Sequence, residues 1–104
     1  MKERFAKRLW GIAREKAIDG GFLFSSEAEE ELAVAIHRAA DRMEVEGKLD
    51  DAGCQFEAKA NMMKLIDYMV EEARNTEEGL ETLELGRDVF ERARNVLSPL
   101  WPYY

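Results

Sequence analysis

Residues 51–74 read DAGCQFEAKANMMKLIDYMVEEAR, and the spacing of their apolar side chains decides the fold. Ala58, Met62, Leu65, Ile66, Met69 and Ala73 recur at three- and four-residue steps, one stripe of a 3.6-residue helix, with Phe56, Met63 and Val70 on its flanks. A stripe this broad predicts the most buried helix of the chain. Asp50 or Asp51 supplies a cap, a carboxylate accepting from a first-turn amide, and Arg74-Asn75 closes the segment.

Three further helices follow from the same reasoning. Toward the N-terminus, Phe5, Leu9 and Ile12 stack at i, i+4 and i+7, with Ala6, Trp10 and Ala13 beside them and Arg4, Lys7, Arg8 and Arg14 opposite. Asp19-Gly20-Gly21 ends this helix, and the apolar Phe22-Leu23-Phe24 is expected to fold back over one end of the bundle. Ser26 with Glu29 reads as a capping box opening the next helix, which is lined by Ala28, Leu32, Ile36, Ala39 and Met43 and stopped by Gly47 in a left-handed conformation. Beyond residue 74, Thr76-Glu77-Glu78 combines a cap hydroxyl with acids at a helix N-terminus. Leu83, Phe90 and Leu97 then repeat every seven residues beside Gly79, Gly86 and Ala93, and Leu85, Val89 and Val96 widen the apolar arc to nearly half the circumference. Ser98 stops this helix, because Pro99 disfavours the α conformation at the residue before it.

No segment reads as a strand. The expectation is therefore all-α: a single-domain antiparallel bundle of four helices, at about residues 3–18, 27–46, 51–74 and 77–97, with an extended aromatic C-terminal tail over 98–104. A chain of 104 residues is long enough to bury about two-thirds of its unfolded surface in one core. The tail, SPLWPYY, places both prolines among large side chains. Trp101 and the tyrosines are expected either to cover the open end of their own bundle, near Phe22 and Phe24, or to anchor a partner.

Charge is divided along the chain. Residues 1–18 hold six basic and two acidic side chains, a net +4, and residues 19–104 hold nine and twenty, a net −11. Charge asymmetry bears on association rather than on a reaction. Its simplest account is one bundle whose first helix sits as a cation among anions. The acidic remainder would repel phosphate and opposes nucleic-acid binding. The basic amphipathic first helix has the composition of a membrane-surface helix, but Glu15 and the acidic body argue against that use. The longest apolar run, Phe22-Leu23-Phe24, falls far short of the roughly 20 residues needed to span a bilayer, and charged residues interrupt any leader-like stretch at the start. A soluble, cytoplasmic protein is expected.

Reactive groups are sparse. Cys54 is the sole cysteine, so no internal disulfide and no paired-thiol metal site is possible within the chain. His37 is the sole histidine; Asp41 lies one turn on, and Glu30 and Glu44 two turns away on a similar face, a weak cation site at best. A ferritin-style di-iron centre needs two Glu-x-x-His motifs, and neither is present. No phosphate-binding glycine motif occurs. The sequence thus predicts no catalytic, metal or cofactor site and no small-molecule substrate. It favours a non-catalytic protein-interaction module that self-associates or docks on a larger protein through its last helix and tail, using Leu85, Val89, Val96, Leu100, Trp101, Tyr103 and Tyr104. The alternative is an acidic inhibitor or decoy for a basic protein surface.

Overall fold

The computed structural model describes residues 1–99, Trp101 and Tyr103, leaving aside the side chain of Glu78. Its elements, in order, are α1 (Lys2–Asp19), β1 (Leu23–Phe24), α2 (Ser26–Val45), α3 (Ala52–Arg74), α4 (Glu77–Thr82), β2 (Glu84–Leu85) and α5 (Arg87–Leu97). The all-α class and one shared core are as expected. The four-helix description is not: among the described residues there are five helices and a small parallel sheet.

The helix ends follow capping chemistry. Ser25, rather than Ser26, caps α2, its hydroxyl accepting from the Ala28 amide at 3.1 Å. The residue three places on is then an alanine, and no capping box forms. Asp51 caps α3 by accepting from the Cys54 amide at 2.9 Å. The first two long helices end in Schellman motifs. Gly21 and Gly47 take φ of +87° and +70°, and the amides after them, of Phe22 and Lys48, reach back to the Ala17 and Met43 carbonyls. Both turns need the left-handed conformation that glycine adopts without a Cβ clash.

The long segment expected over 77–97 is broken. Leu83 adopts φ 53°, ψ 30°, ending α4, and Gly86 becomes the N-cap of α5. The cause is tertiary: the Leu23 amide donates to the Leu83 carbonyl at 3.0 Å and the Ser25 amide to that of Leu85, also at 3.0 Å. Backbone that would have continued a helix pairs instead with the connector after α1, in the register Leu23 with Glu84 and Phe24 with Leu85. The seven-residue seam of Gly79, Gly86 and Ala93 therefore does not exist as one helical face.

Four helices, α1, α2, α3 and α5, enclose the core. α1 packs on α2 and α3, and α5 packs on the same two helices from the other side. Ion pairs fix their directions. Lys2 pairs with Asp41 at 3.1 Å and Arg14 with Glu29 at 3.5 Å, so α1 and α2 are antiparallel. Lys16 reaches Asp67 at 3.2 Å, and the Arg74 guanidinium donates to the Gly20 carbonyl at 3.0 Å, so α1 and α3 are parallel. Arg87 near Glu31, with Tyr103 on Glu46, makes α2 and α5 parallel. Consecutive long helices alternate in direction, yet two of the four lateral contacts are parallel. This departs from a simple antiparallel bundle.

The broad arc of the last helix is used inside the chain. Phe90 and Ala93 are fully buried against α2 and α3, and Leu85, delivered by β2, is buried with them. Phe90 and Leu85 each contribute about 1.5–3 kcal/mol by burial. The segment after α5 turns rather than extends: the Trp101 amide donates to the Leu97 carbonyl at 3.1 Å. Trp101 is 1% exposed and Tyr103 8%. Their rings meet edge to face at 5.1 Å, and the Tyr103 hydroxyl donates to the Glu46 carboxylate. This plug closes the end where α2 terminates. Phe22 and Phe24 lie about 30 Å away, one α2 length, where Phe24 packs on Trp10. For Trp101 and Tyr103, the described aromatic residues of the tail, the expected contact with them is therefore absent, because α5 runs parallel to α2 and brings both rings to its C-terminal end.

Candidate interaction surfaces

The residues expected to meet a partner are dispersed by the fold. Leu85, Val89, Trp101 and Tyr103 are buried within the chain, and Val96 alone among the described ones is exposed. Leu100 and Tyr104 lie outside the described residues. Tyr103 is held from several sides, its ring 5.6 Å from the Arg42 guanidinium and 5.8 Å from the Lys48 ammonium. Hydrogen bonding to the Tyr103 oxygen, then the charges of that oxygen and Glu46, raise the Lys48 pKa above its ordinary value.

The reactive groups do not assemble. His37 is exposed, while Asp41 is taken by Lys2. Among the described residues no three His, Cys, Asp or Glu side chains are placed to share a metal. Cys54 is half-buried; burial, followed by the Asp51 carboxylate, raises its thiol pKa and keeps it a weak nucleophile. Asn61 is buried, and its side-chain amide donates to the Glu57 carbonyl one turn back.

Folding redistributes charge in a way the linear split did not show. The described helices divide near their midpoints into two ends. Residues 1–10, 37–63 and 93–99 carry nine basic and seven acidic side chains, a net +2, and residues 11–36 and 64–92 carry six and fifteen, a net −9. The molecule is 43 Å long and 24 by 20 Å across, so the ends are well separated. A groove of about 480 Å3 opens at the acidic end between the starts of α2, α4 and α5, whose caps Ser25, Thr76 and Gly86 line it. Glu27, Glu29 and Asp88 lie in the first turns of α2 and α5, and Glu77 follows the cap of α4. Part of the acid excess therefore serves to balance helix dipoles. Arg87 on the groove wall is already held by Glu31 at 3.7 Å and Glu91 at 3.1 Å.

Two surface features escaped sequence reading. Phe56 and Met63, expected to widen the core stripe of α3, are 74% and 42% exposed. They share a row with Asp67, at i, i+7 and i+11, and Asp67 pairs with Lys16 of α1; the row therefore borders the outer side of the α1–α3 contact. The signal was present, since Lys59 and Asp67 sit beside this flank and mark it as the solvent edge. The second is a cluster of leucines beside the break: Leu80, Leu83 and Leu23 are 51%, 54% and 65% exposed. Nothing local in the sequence brings Leu23 next to Leu83.

Among the described residues no helix is long and apolar enough to cross a membrane. Of the apolar face of α1 that suggested membrane-surface binding, Phe5, Leu9 and Ala13 lie in the core and Trp10 and Ile12 are half-buried against it. No protein-family model, curated protein or solved structure matches this chain.

Proposed function

We propose that this protein is a non-catalytic protein-interaction module that docks on a basic protein surface through its acidic end. One observation carries the reading: the segments that meet around the starts of α2, α4 and α5 hold fifteen acidic against six basic residues in sequence. A potential of one sign on one face steers and selects oppositely charged partners. This reading joins the interaction module to the acidic decoy, and a cytoplasmic setting belongs to it, supported by the unpaired Cys54 thiol. Docking through the last helix and tail has less support, since Trp101 and Tyr103 would have to leave the core first. The test is affinity capture at low and high salt from a lysate of the source cells, with the intact chain and with Glu27→Lys/Asp88→Lys. The expected result is a stoichiometric partner retained at low salt, released at high salt and lost on charge reversal. If both forms retain the same proteins, or neither retains any, the acidic-end reading is wrong.

A further inference from the structure

The cations of α1 fall into two sets. Lys2, Arg14 and Lys16 each lie within 4 Å of a carboxylate on α2 or α3. Arg4, Lys7 and Arg8 are exposed and have no such partner among the described residues. Arg4 and Arg8 line a recess of about 180 Å3 with Met1, Phe5, Leu49 and Gln55, and the exposed Phe56 follows Gln55 on α3. Because α1 and α3 run parallel with Lys16 opposite Asp67, the same offset sets Ile12 opposite Met63 and Arg8 opposite Lys59. The outer seam between these helices is thus an apolar strip bordered by unpaired cations, on a chain that is otherwise acidic.

The opposite end carries the complement. Leu80 and Leu83 project beside Leu23, and Glu77, Glu81 and Glu84 stand among them, all exposed. Leu83 is the sole non-glycine residue with positive φ among those described. A leucine held there is strained, because its Cβ crowds the backbone, and its side chain is not spent on the core.

We infer that the acidic leucine knob of one copy docks in the cationic α1–α3 seam of a second copy of this chain. The occupant is chosen by charge and shape together: the knob offers leucines to Phe56, Ile12 and Met63, and carboxylates to Arg4 and Arg8. The net charge of −7 does not forbid it. At physiological salt the screening length is about 8 Å, so the facing patches decide the interaction along a 43 Å molecule. Both patches are small, which makes the contact weak, with a dissociation constant on the order of 0.1 mM. This inference rests on the reading of the protein as an interaction module and names a partner for it.

Sedimentation equilibrium from about 20 μM to about 1 mM brackets that affinity. The intact chain is expected to associate over this range. Arg4→Glu/Arg8→Glu, which disables the seam, and Leu80→Ser/Glu84→Lys, which disables the knob, are each expected to weaken self-association at least tenfold with unchanged circular dichroism. Their mixture retains one intact seam and one intact knob and is expected to form a one-to-one heterodimer that goes no further. A monomeric intact chain at about 1 mM, variants that associate as it does, or a mixture that stays monomeric overturns the inference. If the intact chain stays monomeric yet capture still yields a partner lost in Glu27→Lys/Asp88→Lys, only the self-association is wrong. If capture fails while the mixture pairs, only the basic partner is wrong.

Discussion

The amide of Leu23 donates to the carbonyl of Leu83 at 3.0 Å, joining the connector after α1 to a point sixty residues further along. That bond and its neighbour at Leu85 turn what reads as one long helix into α4, a β-bridge and α5. Leu83 adopts the left-handed conformation to allow it. Leu83→Gly removes the clash of Cβ with the backbone and loses little burial, so it is expected to stabilise the fold by about 1 kcal/mol in urea denaturation. A destabilised variant would show that the exposed leucine side chain supports the fold after all.

Gly86 distinguishes a broken helix from a continuous one by the sign of a single substitution. In a helix interior Gly86→Ala would gain about 1 kcal/mol. As the N-cap of α5, with φ −88° and ψ 172° and open space around a Cβ, the position favours glycine over alanine. Gly86→Ala is expected to cost about 0.5 kcal/mol and Gly86→Ser to be neutral or slightly stabilising. Chemical denaturation of the two variants side by side reads the difference.

Trp101 is the largest side chain buried by the tail. Trp101→Ala is expected to cost about 3–5 kcal/mol, a large part of the stability of a small domain. Tyr103→Phe keeps the ring against Trp101, Arg42 and Lys48 but loses the bond to Glu46, and should cost about 1 kcal/mol. Equal, small effects from both would mean that the tail does not close the bundle end.

Asp51 and Lys48 give opposite pH responses. The Asp51 carboxyl is held below its ordinary range, chiefly by the Cys54 amide. Its contribution is present above the unfolded carboxylate pKa and is lost as pH falls through the depressed folded value. Asp51→Asn should therefore flatten part of the acid limb of stability against pH. Lys48 is raised, so its contribution is complete below the unfolded lysine pKa and is lost as pH rises through the higher folded one. Trp101 fluorescence in a Trp10→Phe background is expected to report loosening of the tail at alkaline pH, and Lys48→Met, which removes the titrating group, should flatten that response.

Gly20 carries no positive φ, yet an added Cβ would lie 2.7 Å from a Val70 methyl. Gly20→Ala is expected to cost about 1–3 kcal/mol by wedging the end of α1 away from α3. In a Val70→Ala background, where that methyl is gone, the cost of Gly20→Ala should largely vanish.

By itself the sequence determined what depends on neighbours within a few turns. Three- and four-residue spacing placed α1, α2 and α3 within one or two residues of their ends. Asp51 and Gly47 marked helix termini, and the cationic first helix among anionic ones emerged as Lys2–Asp41 and Lys16–Asp67. A helix repeats its geometry locally, so its signals are local too. Tertiary structure decided the rest. The break at Leu83 depends on a bond to Leu23, the burial of Trp101 on the direction α5 takes beside α2, and the exposure of Phe56 on which side of α3 receives α1. Those outcomes are set by which elements meet in space, and no window along the chain contains both partners.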